Sequence, residues 1–299
     1  MFDWNDLRHF LAVARTGSLS AAARSLRIDQ STVRRRLSAL ETALGHALVE
    51  KQSGGYRLTQ QGQHLLPHAE PIDAAVQAFT RASFGLGADA LGHLRVASLV
   101  TVGQRIIRSG FLDRFHALHP GITVEVLLGQ EVVNLSTGEA DIAIRGGGPA
   151  ECALVGRKIA ELPWAIYASR SFIARHGRPA TQSDLHAFPI IEFVGGLAKL
   201  PAAGWMKQHA TGARIAARCD NIPSAHLAVR SAAGIAPLPA VHAGADKELV
   251  DLFGPVRQLD YPIFVFTHKD LRKTRRVGAF IDFCIHELRP VLMTGTLRA

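Results

Sequence analysis

A chain of 299 residues is too long for one small domain and suits two or three, with length enough for a substantial core. Lys and Arg number 34 against 25 Asp and Glu, and the formal charge of +9 favours a polyanionic partner, either nucleic acid or an anionic surface. Three cysteines far apart, Cys152, Cys219 and Cys284, without a C-x-x-C, speak against a disulfide scaffold or a zinc ribbon.

The opening MFDWNDLRHF carries acids where a secretory leader would carry basic residues. No stretch is apolar for long enough to span a bilayer, so the sequence reads as cytoplasmic, with no membrane partner. Leu7, Phe10, Leu11 and Ala14 recur at helical spacing behind Asp3, which predicts a first helix. Ser18 or Ser20 caps a second helix built on Ala21, Ala22 and Ala23, after which Leu26 and Ile28 are expected to turn inward. Asp29 precedes a third helix over Gln30–Leu44, and Gly45 is placed to end it.

On a wheel of about 100° per residue, Val33, Leu37, Leu40 and Leu44 of that third helix fall on one apolar stripe. The opposite arc carries Ser31, Arg35, Ser38 and Thr42, with Thr32 and Arg34 on its flanks and Arg36 nearer the core edge. Arginines pair bidentately with guanine edges or phosphates, and short hydroxyls do not hold the helix away, so this face suits a DNA major groove. The competing reading of Arg34, Arg35 and Arg36 is a solvated charged face.

Two short strands, Ala47 to Lys51 and Tyr56 to Leu58, flank Gly54-Gly55 and predict a β-wing carrying Lys51 and Arg57. Thr59 then caps a long helix running to about Phe84. Leu65, Ile72 and Phe79, with Ala69, Val76 and Ser83, alternate in steps of four and three, the pattern of a coiled-coil seam between two chains. Pro67 and Pro71 lie within this run and favour a kink; an amphipathic helix packed on its own chain is the alternative. Gly85 to Gly92 reads as a linker.

From Leu94 strands and helices alternate. LRVAS, ITVEVLL, DIAIR, WAIYAS, PIIEF and YPIFVFT read as strands; Thr101 to Leu118, a segment near Ser224 to Ala233 and Arg275 to Leu288 read as helices. Such βαβ units predict a mostly parallel sheet with helices on both faces, divided into two lobes, with ligands at the carboxyl ends of strands.

The runs FLAVARTGSLSAAARSL, STVRRRLSALETALG and LTQQG, continued by GEADIAIR, YASRSFIARHGRPATQSDL, AAGIAPLP and RRVGAFIDF, resemble the LysR-type transcriptional regulators over nearly the whole chain. The resemblance implies an α/β protein overall: a winged helix-turn-helix over 1–62, a dimerising linker helix over 63–90, and a two-lobed effector domain, similar to periplasmic binding proteins, over 91–299. Its lobes would be about 91–160 with 268–299, and 161–267. It implies double-stranded promoter or operator DNA, a small-molecule effector and further copies of the chain, as dimer and tetramer, for partners, with RNA polymerase as a further one. It implies no cofactor and no enzymatic activity.

Carried over by position, the DNA-facing residues of that family fall on Ser31, Thr32, Arg34, Arg35 and Arg36, with wing support from Lys51 and Arg57. Its inter-lobe pocket falls on Ser98, Leu99, Val100 and Thr101, on Arg145 and Gly146, on Phe193, Val194 and Gly195, and on Asn221. The chain departs from the family pattern at Arg34, where serine is common, and at Leu48-Val49-Glu50-Lys51, where leucine, phenylalanine and arginine are expected.

Other chemistry finds less support. His64 with His68, and Asp113 with His116 and His119, lack the further ligands of a zinc signature, and no G-x-S-x-G, H-E-x-x-H or P-loop pattern is present. A redox-sensing cysteine is the other alternative. Arg145, at the end of a strand, and a helix capped by Thr101 predict an anion site, a small organic acid being the expected ligand. An ion pair of Arg145 with Glu139 or Asp141 is the competing reading.

Overall fold

The computed structural model describes residues 3–84, 92–129, 133–136, 138–148 and 153–294. Cys152 and most of the Gly85 to Gly92 linker lie outside the described residues. The chain divides into two compact units, Met1–Arg81 and Ala82–Ala299.

The first unit packs α1 (Trp4–Thr16), α2 (Leu19–Leu26) and α3 (Gln30–Leu44) around Phe10, Leu11, Ala22, Val33 and Leu40. Small residues in α2 let the helices approach closely: Ala22 is wholly buried. Each start is fixed locally. Asp3 accepts from the Asn5 amide at 2.9 Å, and Ser18 from that of Ala21 at 3.4 Å, which satisfies donors a helix leaves free. Asp29 occupies the cap of α3 without making such a bond. Leu26 packs on the core, but Ile28 is 36% exposed, because the chain turns through the left-handed Arg27 and carries Ile28 outward.

The wing is shifted toward its turn: β1 (Val49–Gln52) starts two residues later than expected and β2 (Gly55–Leu58) one residue earlier, and they pair antiparallel, with Lys51 opposite Tyr56 and Gln52 opposite Gly55. Ala47 and Leu48 are held instead by the next helix start, where Thr59 donates its hydroxyl to Ala47 O at 2.7 Å and its amide to Leu48 O at 3.0 Å. The Glu41 carboxylate accepts from the Leu48 and Val49 amides at 2.7 and 3.2 Å, tying α3 to the wing.

Helix α4 (Gln60–Phe84) continues through Pro67 and Pro71. The expected seam divides. Leu65 and Ala69 pack on the unit's own core, and Asp73 is anchored to Arg15 at 3.0 Å, whereas Ile72 and Phe79 are 44% and 77% exposed.

The second unit contains two lobes. In the first, β3 (Gly92–Leu99) lies between β4 (Ile122–Gly129) and β5 (Ile142–Gly146), both parallel to it; β12 (Tyr261–His268) then pairs antiparallel with β5 and with β6 (Leu154–Leu162). Helices α5 (Val100–Arg108), α6 (Phe111–Leu118) and α11 (Arg275–Phe283) cover one face, where Phe111 and Phe115 meet Phe283 and Phe280 at ring distances of 4.7 and 5.0 Å. The expected single helix over Thr101 to Leu118 is broken at Gly110, whose φ of 75° interrupts the ladder while the apolar spacing continues across it. The last helix, expected over Arg275 to Leu288, takes a π-type turn over its final residues, Cys284–Leu288, and continues past them as α12 (Arg289–Thr294).

In the second lobe, β7 (Trp164–Ser169) is buried at every residue between the antiparallel β10 (Ala236–Pro239) and β11 (Leu249–Asp251). The parallel pair β8 (Ile190–Phe193) and β9 (Ile215–Cys219) adjoins β10 through an Ile190–Ile235 bridge. Helices α7 (Arg170–His176), α8 (Pro201–His209), α9 (Ile222–Arg230) and α10 (Ala240–Ala243) complete it.

Two expectations are corrected. The sheets are mixed rather than mostly parallel. Residues 261–267, expected in the second lobe, belong to the first: Val265 sits opposite Ile144, and both are in the first-lobe core.

Gly62 gives a test of the α4 start, because a Cβ there would lie 2.1 Å from Leu48 O, a backbone atom with little room to move. Gly62→Ala is expected to destabilise the first unit by about 1–3 kcal/mol in urea unfolding, and substitution at the exposed neighbour Gln63 by under about 0.5 kcal/mol.

Candidate functional site

Two surfaces hold the polar groups singled out by the sequence. The first is the outer face of α3. With Val33, Leu37 and Leu40 buried, the helix must turn Gln30, Ser31, Arg34, Arg35 and Ser38 outward, and these five line a shallow hollow open to solvent. Thr32 flanks it, half-buried. Among the described residues, neither Arg34 nor Arg35 is held by a carboxylate or a carbonyl. Lys51 and Arg57 are exposed on the wing, Arg57 across the ladder from Glu50.

Arg36 departs from this set. Its Nη1 lies 3.3 Å from both Asp3 Oδ2 and Asp6 Oδ1, and the Asp6 side chain is only 5% exposed. The helical step that brings Arg34 and Arg35 to the surface turns Arg36 toward α1, where it neutralises a buried acid.

The second surface is a cleft of about 350 Å³ between the lobes of the second unit, at the carboxyl ends of β3 and β5. Ser98, Leu99, Val100, Thr101, Arg145 and Gly146, the residues singled out in sequence, line its first-lobe wall together with Ala97. Thr101 does not cap α5: Leu99 holds that position, and Thr101 lies in the first turn, whose residues Val100, Thr101 and Val102 line the cleft. The Ser98 hydroxyl donates to Ile144 O at 3.2 Å, so it ties strand to strand.

Arg145 leans over the Phe266 ring, with Cζ 5.2 Å from the centroid, and its Nε is buried without a partner among the described residues. Neither proposed acid takes it. Asp141 accepts from the Arg95 amide at 2.8 Å, and Glu139 from the Asn134 amide at 3.0 Å. The Tyr261 ring fills the space a side chain at Gly146 would need. Burial raises the Tyr261 hydroxyl above its ordinary pKa, against the opposing pull of the Arg145 charge.

The second-lobe wall differs from expectation. Phe193 is 4% exposed and belongs to the lobe core, its ring edge toward Trp164; Val194 donates its amide to Cys219 O; Gly195 opens the next turn with φ of 57°. None of the three lines the cleft. Gly196, Leu197, Lys199 and Leu200 do so instead, because strand alternation sends Phe193 inward and the wall forms only in the 3-10 turn beyond it. Asn221 is in the wall, capping α9 through the Ser224 amide at 2.8 Å and donating to Asp220 at 2.7 Å.

Sequence reasoning missed Lys199, Asp220 and Tyr261, each polar and in the cleft. Asp220 was legible as the neighbour of Asn221; Lys199 and Tyr261 carried no motif.

The remaining candidates do not gather. Cys284 is wholly buried, and burial pushes its thiol far up; burial followed by the Asp220 charge also raises Cys219. This opposes thiolate activation at both. His64 and His68 meet in a T-shaped contact at 6.0 Å on α4, and His119 packs on Phe115 at 4.9 Å. Among the described residues no cluster of His, Cys, Asp or Glu is placed to hold a metal ion.

A three-helix unit with a wing, joined in sequence to a two-lobed α/β unit with a cleft at its strand ends, defines a winged helix-turn-helix protein with a ligand-binding type of second domain. Residues 4–63 match the family model for the bacterial regulatory helix-turn-helix protein of the lysR family, and residues 87–289 that for the LysR substrate binding domain. The chain belongs to the LysR family.

An HTH-type transcriptional regulator of Xanthomonas campestris pv. campestris is 34% identical over 61% of this chain and 53% of its own length. The full-length structure of the Vibrio cholerae virulence activator AphB, 20% identical, covers 95% of this chain and 99% of its own with a TM-score of 0.64. Full-length CbnR, complexed with its target DNA, is 23% identical and covers 95% of this chain and 99% of its own with a TM-score of 0.54. The chain spans between 53% and 60% of the length of the first curated relatives it matches.

The two kinds of arginine on α3 should separate in stability measurements. Arg36→Ala, which strips a buried carboxylate of its cation, is expected to cost about 1–3 kcal/mol in chemical unfolding of the first unit. Arg34→Ala and Arg35→Ala should stay within about 0.5 kcal/mol of the parent.

Proposed function

We propose that this chain is a transcription regulator, not an enzyme, that binds a specific duplex through α3 and the wing and responds to a small organic acid in the inter-lobe cleft. The observation that carries the reading is Arg34 and Arg35, two exposed guanidiniums free of protein acids among the described residues, on a helix whose other side is core. In a major groove these would meet guanine edges or phosphates, with Ser31 and Thr32 making shorter contacts and Lys51 and Arg57 reaching flanking phosphates. Arg36 acts as an internal strut. The solved complex of CbnR with its target DNA supports the assignment.

The effector reading rests on Arg145. A buried guanidinium Nε without a partner, next to the first turn of an α-helix, favours a carboxylate. The surrounding Leu99, Val100, Leu162, Trp164, Leu197 and Ile263 favour an acid with an apolar body. A ligand touching Arg145 on one lobe and Lys199 or Asn221 on the other binds best when the lobes close, which shifts the population toward that state. Self-association through the exposed Ile72 and Phe79 of α4 would present α3 in duplicate to a palindromic site, with a tetramer as the higher assembly. The setting is the cytoplasm, and RNA polymerase is the further partner.

Fluorescence anisotropy with duplexes from the chain's own upstream region tests the first half. Arg35→Ala is expected to weaken specific binding by about 1–3 kcal/mol and random duplex much less. Lys51→Ala should weaken every sequence alike and lower the salt slope by about 1. Equal affinity of parent and Arg35→Ala for operator and random duplex would overturn base reading.

For the second half, calorimetry against a panel of small carboxylic acids should show binding to the parent and its loss in Arg145→Ala. Retained affinity in that variant would remove Arg145 from the site.

A further inference from the structure

The second unit has another polar hollow, of about 370 Å³, lined by Arg105 and Arg108 of α5 and by Val241, His242, Ala245, Asp246 and Lys247 at and after α10. Its walls come from both lobes. We propose that this hollow is a second ligand site, distinct from the cleft, for a small hydrophilic molecule bearing a phosphate or pyrophosphate group.

One of the cations, Arg105, is fixed by the protein, and the acid beside them is already engaged. Arg105 donates from Nε to Val291 O at 2.7 Å and from Nη1 to Val241 O at 3.1 Å. These two carbonyls fix the guanidinium plane and leave Nη2 without a protein acceptor among the described residues. Asp246 receives His226 Nε2 at 2.9 Å and the Arg230 guanidinium at 3.6 Å on one oxygen, and the Glu248 amide at 3.0 Å on the other. It therefore does little to neutralise Arg108 and Lys247, which are exposed and meet no protein acid among the described residues. His242 adds a ring stacked edge-on to His226 at 4.8 Å. Burial first, then the charges of His226, Arg105 and Arg108, hold His242 below its ordinary pKa, which is how an imidazole behaves in a surplus of positive charge.

A phosphate monoester carries nearly two negative charges at neutral pH and three acceptor oxygens. That suits one fixed guanidinium with an open N–H, one exposed guanidinium and one ammonium better than a monocarboxylate does. The hollow also lacks the apolar walls that fit the cleft to an apolar acid. Because Arg105 and Arg108 stand on one lobe and Lys247 on the other, an anion held among them would favour one lobe angle and so couple to the cleft.

Isothermal titration of the full-length chain with pyrophosphate and with inorganic phosphate, at constant ionic strength, tests this. Both probes are expected to bind saturably. The double variant Arg108→Ser with Lys247→Ser, exposed positions that should leave the thermal melt unchanged, is expected to lose at least tenfold in affinity. Arg145→Ala and Arg35→Ala should bind the phosphates as the parent does.

Binding that survives the double variant, or that disappears in Arg145→Ala or Arg35→Ala, would place the anion elsewhere and overturn the proposal. A double variant that loses affinity for random duplex, in a chain that takes up neither probe, would make this face a nucleic-acid contact and overturn it equally. Loss of organic-acid binding in Arg145→Ala leaves the phosphate result unaffected, so the two readings fail separately.

Discussion

The cleft depends on one strand pairing, that of Tyr261–His268 with Ile142–Gly146. Without it the first lobe would stop at three parallel strands, and Arg145 would stand at an open sheet edge. With it, Phe264 lies opposite Arg145 and Phe266 supplies the ring beneath its guanidinium, while Tyr261 closes over Gly146. The same pairing brings the chain back from the second lobe beside β6, so two crossings, near Pro163 and Asp260, connect the lobes. Two connections leave such lobes free to hinge about an axis while keeping their facing walls in register.

In the first unit the organising contacts are apolar, and polar contacts set direction. Phe10, Leu11, Ala22, Val33 and Leu40 fix the helix angles. The Arg36 pair with Asp3 and Asp6 then sets the rotation of α3 about its axis, and Glu41 sets the wing by accepting two of its amides. Arginines one and two residues before Arg36 are outward because Arg36 is not. Three adjacent residues of the same type thus have two different jobs, settled by the helical period and by acids more than twenty positions away in sequence.

The sequence made the local features legible and left the long-range ones obscure. The bounds of α3, the capping by Asp3 and Ser18 and the left-handed Gly45 all follow from neighbouring residues, and the structure reproduces them. Periodicity also identified the YPIFVFT strand, yet could not say which sheet would take it, because the choice is made by residues far away in sequence. The strand Leu154–Leu162 gave no alternating signal: four consecutive exposed residues, Val155 to Lys158, lie on an edge strand where one ladder is absent. The Phe193 to Gly195 expectation failed by a few residues for a related reason. Strand alternation assigns Phe193 to the core, and the cleft wall is made by a turn that has no periodic signature. For the α4 seam, spacing alone could not distinguish an own-chain contact from one between chains, and Leu65 and Ala69 went to the former.

The insertion of β12 into the middle of a sheet also has a consequence for synthesis on the ribosome. Thr267 donates its hydroxyl to Asp141 O across 126 residues, so β5 emerges from the tunnel long before its neighbour exists. Until the whole second lobe has been made, the edges of β5 and β6 expose bare main-chain groups and an apolar face in the nascent polypeptide, the state in which sheet proteins recruit chaperones or aggregate. The second lobe, assembled from an unbroken stretch of chain, has no such wait. Vectorial folding should therefore complete the inserted lobe first and zip the earlier one shut around its returning strand.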